Sequence, residues 1–453
     1  MEEKKYMTLG RYLGYGIGGF GQCFVLIFAN FILLYMTNTI GMDIGIVGTL
    51  MMVSKIFDGI SDVIFGNLLD RTHTKYGKTK PWILGTVFPL AIVQVLLFFI
   101  PLKEGIAQYA YFLIVYTLLN AVFYTANGVA YNSLPVMTTN NKLERVIMGV
   151  ILSISVLTGS VLVSSVTLGL VDSFGAGLKG WRTVALIYSA ALIVCELLCG
   201  ISVKEVSFGD APLQDSNSEN HSLSFRESFR YLLHSKYYIL IMLYYILYYF
   251  SNGVFGAVGT YYCIYILKNE SIYGLLSAAS MIPMIIGVIF TPLFVKKWGM
   301  YKTNTWTLLL STISCIFLII GGYNGGIVVL IIGLALKSLF FGPMSGSVNA
   351  IIADISNYET LKKGIHLEGT MYSCVSMGQK LGGGIASAFA GWMMHLAHYD
   401  GMLSIQARST CNMIIFLYIV VPSICAILIY AIVRKIDVEK ELQKLLLKDS
   451  SAS

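Results

Sequence analysis

Three charged residues lie within one apolar stretch near the start of the chain: Lys55, Asp58 and Asp62. Their spacing of three and four residues places them on one face of a helix. Two carboxylates one turn apart in a low dielectric do not both stay ionised without a counter-charge. A bound Na⁺, a shared proton or the Lys55 ammonium could supply it, so the pattern predicts a cation-binding site. The alternative is a structural Lys–Asp pair that orients the helix, which explains one aspartate but not both.

A further lysine, Lys380, lies deep within another apolar stretch, in Gln379-Lys380-Leu381-Gly382-Gly383-Gly384. Charges at membrane depth are expensive and tend to be functional. We therefore predict that Lys380 is a second counter-ion to the two aspartates, beside Lys55. The alternative is that its side chain extends to the membrane interface. The glycines next to it allow a neighbouring helix to approach closely.

The elements that must hold these residues are membrane-spanning helices. Of the 453 residues, 56% are hydrophobic and 12% are charged, whereas about a quarter of the residues in a soluble domain are charged. Apolar blocks of about 20 residues are long enough to cross a bilayer. The sequence therefore predicts an all-α membrane protein with twelve transmembrane helices, near residues 12–37, 44–69, 81–101, 107–135, 146–171, 182–203, 237–265, 271–295, 304–322, 326–350, 367–396 and 410–433.

Basic residues predict the orientation of these helices. Most of the 31 Lys and Arg residues fall in the tails and in the loops that follow even-numbered helices. Because Lys and Arg concentrate on the cytoplasmic side, we expect both termini in the cytoplasm and the protein in the bacterial inner (plasma) membrane.

The helices fall into two sets of six. We predict an N-terminal half over 1–203, a cytoplasmic linker with an amphipathic helix over 204–236, a C-terminal half over 237–434 and a cytoplasmic tail over 435–453. A faint repeat supports the division, because DRTHTKYGKTKPW follows helix two and VKKWGMYK follows helix eight. Two pseudo-symmetric halves with a solute site between them are the plan of the major facilitator fold.

One segment carries a specific family resemblance. Asp58-x-x-Ser61-Asp62, followed by Asp70-Arg71 and then Gly77-Lys78-Thr-Lys80-Pro81, resembles the signature of the glycoside–pentoside–hexuronide:cation symporters, a family of the major facilitator superfamily. The resemblance implies that Asp58 and Asp62 bind the coupling cation and that Ser61 and Thr125 are neutral oxygen ligands. It also implies that Lys380 approaches this cluster. By the same resemblance, the loop with Asp70, Arg71, Gly77, Lys78 and Pro81 takes part in the conformational change.

The chain departs from that family at four positions. Cys23, Gly128, Asn132 and Ser153 align with charged or aromatic residues that grip the sugar in a well-known member. None of the four can make charged hydrogen bonds to sugar hydroxyls, which are the stronger kind. One of the replaced residues is an aspartate that also belongs to the cation site of that member. This chain therefore has one carboxylate fewer there, and the coupling ion could be either Na⁺ or H⁺.

Neutral and aromatic side chains could replace that grip. Gln22, Asn127 and Ser345 offer uncharged hydrogen-bonding groups, and the four positions just named are candidate solute contacts beside them. Tyr244 and Tyr248 recur at i, i+4 on helix seven, where their rings could stack on a sugar. The alternative for the tyrosines is helix packing or an interfacial belt.

These patterns predict a secondary active symporter that couples a Na⁺ or H⁺ gradient to the uptake of a sugar, glycoside or hexuronide. The alternatives are a transporter of amphiphiles, lysolipids or aglycone-bearing glycosides, and a membrane sensor that does not transport. The glycines at 14, 16, 18 and 19 lie in an apolar span without a preceding strand, which excludes a dinucleotide motif. We expect no enzymatic activity, no cofactor, no metal other than Na⁺, no nucleic-acid partner, and a monomer in contact with membrane lipid.

Overall fold

Long apolar blocks of the sequence fold into helices. The computed structural model describes residues 6–26, 28–72, 74–101, 105–139, 141–205, 234–324, 326–363 and 373–442. Within these ranges there is no strand. Eleven helices there have the length and apolar composition of a membrane span, and a twelfth, rich in glycine, has 24 residues. The prediction of an all-α membrane protein with this helix order is confirmed.

We number the long helices in chain order. Helices α1 to α12 are Leu9–Thr39, Ile44–Asp70, Lys80–Phe98, Ile106–Thr138, Lys142–Ser173, Gly177–Ser202, Lys236–Ile266, Ile272–Trp298, Met300–Asn324, Ile327–Lys363, Ser373–Leu396 and Arg408–Val433.

Helix α10 differs most from the sequence-based boundaries. It continues to Lys363, well past the predicted end at residue 350. Ile351, Ile352 and Ile355 remain buried in this extension and belong to one hydrophobic cluster. Because the extension carries polar residues on its other positions, its mean hydropathy falls although the helix continues. Hydropathy therefore located the end of the apolar block and not the end of the helix.

In the part of the chain that the structure describes, four helices contain a π-helical turn. The turns lie at Tyr35–Thr39 in α1, Leu118–Tyr124 in α4, Tyr262–Ile266 in α7 and Phe416–Val420 in α12. Such turns rotate the residues that follow them and are frequent at functional sites. The turn in α4 ends directly before Thr125.

The chain forms two compact units. The first combines residues 1–215 with 263–274 and 387–410, and the second combines 216–262, 275–386 and 411–453. The first unit therefore contains α1 to α6 together with the turn between α7 and α8 and the end of α11 with its following loop.

Polar contacts hold the added segments within the first unit. Tyr399 donates to the Asn38 side chain at 2.6 Å, and Asn38 donates to the Tyr265 hydroxyl at 2.8 Å. Trp392 donates to Thr49 at 2.8 Å. Backbones also approach closely, since a Cβ on Gly48 of α2 would lie 2.7 Å from the carbonyl oxygen of residue 387. These contacts tie α1 and α2 to the end of α11.

Candidate cation and solute sites

Asp58 is the centre of the candidate cation site. It lies on α2, and only 8% of it is exposed. Its Oδ2 is 3.6 Å from Lys55 Nζ one turn earlier, and its Oδ1 accepts a hydrogen bond of 2.6 Å from the Thr125 hydroxyl. Side chains of two helices thus converge on one carboxylate, with the Lys55 ammonium near one oxygen and the neutral Thr125 hydroxyl on the other.

Thr125 reaches Asp58 because of the π-helical turn that precedes it in α4. Its hydroxyl oxygen also lies 2.8 Å from the carbonyl oxygen of Asn120, five residues earlier. The i, i+5 relation is the spacing of a π-helix rather than an α-helix. The π-helical turn therefore determines which side chain of α4 contacts the Asp58 carboxylate.

Two further predicted ligands lie on the same helix. Asp62 is half-buried one turn after Asp58, and the Ser61 hydroxyl donates to the Asp58 carbonyl at 2.9 Å. The Ser61 oxygen keeps lone pairs after that bond. Carboxylate and hydroxyl oxygens are the donors that hard cations prefer, so this set of residues fits Na⁺ as well as a proton.

Lys380 belongs to the second unit, where it lies half-buried on α11. The glycines around it pack that helix against α7: a Cβ on Gly382 would lie 2.5 Å from the Ile246 carbonyl oxygen, and Gly378 approaches Tyr245 just as closely. Small residues thus allow the two backbones to meet. The role of Lys380 as a counter-ion to the α2 aspartates stays a prediction.

Two of the predicted solute residues meet in the first unit. Gln22 of α1 is half-buried and donates through Nε2 to the Asn127 side chain of α4 at 3.1 Å. Asn127 is fully buried and donates in turn to Thr86 of α3 at 3.2 Å. A polar chain therefore links three helices, and Gln22 is its most accessible member.

The four positions that depart from the family differ in accessibility. Cys23 is buried, and its sulfur packs at 3.4 Å against the carbonyl oxygen of Val156 in α5. Asn132 and Ser153 are exposed, and a Cβ on Gly128 would meet no atom within 4 Å. Three of the four positions therefore border open space, whereas Cys23 fills a helix contact.

The predicted aromatic residues lie in the second unit. Tyr244 is 2% exposed within a hydrophobic cluster of α7, α9, α10 and α12. Tyr248 is half-buried and stacks on Phe341 of α10, with ring centroids 5.3 Å apart. Ser345 of α10 is half-buried. The position of Tyr244 is that of a packing residue, and Tyr248 and Ser345 are more accessible.

Glu205 holds the basic loop after α2, and the sequence analysis missed it. Its carboxylate accepts backbone hydrogen bonds from Lys78 at 2.7 Å, Thr79 at 3.0 Å and Lys80 at 2.7 Å, and a fourth bond from the Thr79 hydroxyl. It therefore caps the first turn of α3, where a negative charge is favoured. Pro81 lies in that turn. Arg71 is exposed at the end of α2, and the side chain of Asp70 lies outside the described residues.

Glu439 makes the same contact in the second unit. It accepts from the backbone amides of Met300 and Tyr301 at the start of α9, at 3.4 and 2.7 Å. Each carboxylate follows the sixth helix of its set, and each faces a glycine with positive φ, Gly77 at 109° and Gly299 at 79°. The faint sequence repeat thus corresponds to a repeated structure. In the sequence, this repeated structure is indicated by an acidic residue a few positions after α6 and again a few positions after α12.

Glu196 is a second residue that the sequence analysis missed. It lies on α6 and is fully buried, and the amide side chains of Gln22 and Asn127 face it. The available signal was a lone acid in the apolar run Ile-Val-Cys-Glu-Leu-Leu.

The comparisons with known proteins agree with this fold. The family described as MFS/sugar transport protein matches residues 14–440. The isoprimeverose transporter of Lactiplantibacillus pentosus is 25% identical over 398 residues, which cover 87% of this chain and 81% of that protein. The inner membrane symporter YicJ of Escherichia coli (strain K12) is 26% identical over 96% of this chain and 92% of its own length. Among solved structures, a D-xylose–proton symporter aligns with a TM-score of 0.67 and 14% identity, covering 96% of this chain and 99% of that one.

The chain therefore belongs to the MFS/sugar transport protein family. It is a multi-pass membrane protein with the major facilitator fold. The family resemblance predicted from the α2 signature is confirmed.

Proposed function

We propose that the protein is a secondary active symporter that couples a cation gradient to the uptake of a sugar, glycoside or hexuronide. The observation that carries this proposal is the buried Asp58, which a lysine and a threonine hydroxyl contact from two helices. Membership in a sugar transport family supports it, as do relatives whose names describe a sugar transporter and a symporter.

The coupling follows from competition for Asp58. Lys55 neutralises this carboxylate in the structure, and an arriving Na⁺ or proton takes over that role. Lys55 is then released, and the local charge and helix contacts change. If this change strengthens solute binding, the solute must strengthen cation binding by the same factor.

The solute site would be built from neutral groups. Gln22 is accessible, and open space adjoins Gly128, Asn132 and Ser153. Amides and hydroxyls suit an uncharged sugar or glycoside. We propose that the halves alternate in exposing this site, in a monomer in the inner membrane, with both termini cytoplasmic and no enzymatic step.

The test is gradient-driven uptake into vesicles that contain the purified protein. Asp58→Asn and Asp62→Asn should each abolish accumulation, because each removes a charge that the cation must compensate, while the amount of protein in the membrane stays unchanged. A panel of pentoses, glycosides, hexuronides and lysolipids, tested with and without Na⁺ at two pH values, identifies the solute and the ion.

Asp437→Asn is the matched control. Asp437 also lies 3.6 Å from a lysine, Lys236, but outside the transmembrane helices, so accumulation should persist in this variant. Full accumulation by Asp58→Asn would contradict the proposal. Accumulation of lysolipid alone would replace the sugar with an amphiphile, and no accumulation of any solute would favour a sensor.

A further inference from the structure

Glu196 is a carboxylic acid in the middle of an apolar helix. It is fully buried in α6. Neither of its carboxyl oxygens has a hydrogen-bond partner in the part of the chain that the structure describes. The coupling proposed above does not use it. A buried acid without a partner requires an explanation, because an ionised carboxylate at membrane depth is costly unless it is paired.

Among the described residues, no basic side chain neutralises Glu196. The Gln22 and Asn127 amides are the polar groups that face it, and in the described residues no charge of α5 acts on it. The charge of Lys80 on α3 interacts electrostatically with Cys199, one turn after Glu196. Glu196 interacts electrostatically with four titratable side chains: Tyr124 and Tyr131 of α4, and Cys195 and Cys199 of α6. Two side chains of α1 interact electrostatically with the same tyrosines, Cys23 with Tyr124 and Tyr15 with Tyr131.

The amides next to Glu196 also bond to other groups. Gln22 Nε2 donates to Asn127 Oδ1 at 3.1 Å, and Asn127 Nδ2 donates to Thr86 and to the carbonyl oxygen of Ile83. In this arrangement the Gln22 carbonyl oxygen is available as an acceptor. A protonated Glu196 can donate its O–H to that oxygen, whereas an ionised Glu196 needs a donor instead.

We propose that Glu196 is a second proton-binding site, separate from Asp58 and Asp62, and that its proton controls the orientation of the Gln22 amide. In the proposed protonated state, the Glu196 O–H donates to the Gln22 carbonyl oxygen. When the proton leaves to water, the carboxylate requires a donor, and the Gln22 amide turns so that the second N–H of its NH₂ group reaches the carboxylate. Gln22 is a candidate solute contact, so proton release at Glu196 alters that site. The link to the solute rests on the proposed function, whereas the proton site itself does not.

Infrared difference spectroscopy of the purified protein in lipid vesicles tests the site without any solute. A protonated carboxyl group gives a C=O stretching band that a carboxylate lacks. At neutral pH the difference spectrum between the wild type and Glu196→Gln should contain this band, and so should the difference between the Asp58→Asn/Asp62→Asn variants with and without Glu196→Gln. Protonated carboxyl groups elsewhere, such as Glu270, cancel in both differences. A difference spectrum without the band would overturn the proposal.

Two further variants test the contacts. Gln22→Leu removes the acceptor and should shift the frequency of the band, whereas Ser189→Ala should not. Ser189 is a matched control because its hydroxyl is also buried in α6 without a partner in the described ranges. An unchanged frequency in Gln22→Leu would overturn the link to Gln22.

Glu196→Asp covers the case in which the glutamine variant does not fold. It keeps a carboxyl group, so the band should move in frequency without vanishing, and a band unchanged in both frequency and pH midpoint would assign the proton to another residue. These spectra are independent of uptake: the loss of accumulation in Asp58→Asn tests the proposed symport, and the band in the double variant tests Glu196.

Discussion

At the scale of single residues, the proposed cation site depends on the two groups that contact Asp58. Lys55 and Thr125 occupy its two oxygens. A lysine can be displaced by a cation, whereas a threonine can remain as a ligand to that cation. The threonine should therefore contribute to cation affinity more than to folding.

Thr125→Val tests that role. Valine keeps the shape of the side chain but removes the donor, so Asp58 loses one hydrogen bond. We expect the apparent affinity for the coupling cation to fall roughly tenfold, about 1.4 kcal/mol, measured from the cation dependence of uptake. Thr117→Val is the control, because the Thr117 hydroxyl is buried in α4 without a partner in the described chain. Equal cation affinities for the two variants would contradict the role of Thr125.

A second prediction concerns Glu270, in the turn between α7 and α8. Burial, and then the neighbouring Asp172 at the end of α5, raise the pKa of Glu270 to about 7. The folded protein thus holds a proton on Glu270 that the unfolded chain releases at lower pH. The contribution of Glu270 to the free energy of unfolding is therefore fully present below about pH 4.5 and is lost as the pH rises through 7.

Glu270→Gln should therefore flatten the pH dependence of the unfolding temperature between pH 4.5 and 7. Above pH 7 it should unfold at a higher temperature than the wild type. Asp172→Asn removes the other partner and should act in the same direction. Asp400→Asn, in the loop after α11, is the control and should keep the wild-type slope. A wild-type slope in Glu270→Gln would show that Glu270 does not titrate in this range.

At the scale of elements, Glu205 and Glu439 each fix the start of one helix. Both caps join a glycine turn to an acid from a distant part of the chain. Loss of a helix N-cap costs about 0.5–2 kcal/mol. The loop after α2 therefore owes its order to a residue more than a hundred positions away.

Glu205→Ala should release the first turn of α3. Hydrogen exchange of the amides of Lys78, Thr79 and Lys80 should speed up by roughly tenfold, as expected for a loss of about 1.4 kcal/mol. Glu439→Ala is the reciprocal control: it should affect Met300 and Tyr301 and leave residues 78–80 unchanged. Exchange that changes at both helices in either variant would argue against independent caps.

At the scale of the whole molecule, the first unit depends on close packing of α2 against α11. Gly48 has no room for a side chain there, whereas a Cβ on Gly66 of the same helix would meet no atom within 4 Å. Gly48→Val should destabilise the protein by about 1–3 kcal/mol through overpacking.

Thermal unfolding in detergent, followed by fluorescence, measures this difference. The midpoint should fall for Gly48→Val and should change much less for Gly66→Val. Because both variants exchange the same residue types on one helix, helix propensity cancels between them. Equal midpoints would show that the α2–α11 contact contributes little to stability.

The sequence predicted the helices well because each apolar block must cross the same thickness of bilayer. It also located Asp58 and Asp62, since charges are conspicuous in such blocks. Thr125 came from the family resemblance, and its contact with Asp58 depends on a π-helical turn that hydropathy does not detect.

Glu196 and Glu205 escaped prediction for a different reason. Their roles come from residues distant in the sequence: Gln22 and Asn127 for Glu196, and the turn before α3 for Glu205. A single acid in a helix or a loop looks ordinary until the partner is known. Tertiary pairing, and not local pattern, defines both residues.

The composition of the first unit has a consequence for biosynthesis. Residues 387–410 belong to it, yet the ribosome makes them after four further helices. At about 5–20 residues per second, roughly 10–40 s separate the completion of α6 from that of this segment. Over that interval the Trp392 and Tyr399 partners of Thr49 and Asn38 do not yet exist. The nascent first unit should therefore be most vulnerable to proteolysis and aggregation at this surface, and it should mature only after residue 410 has been synthesised.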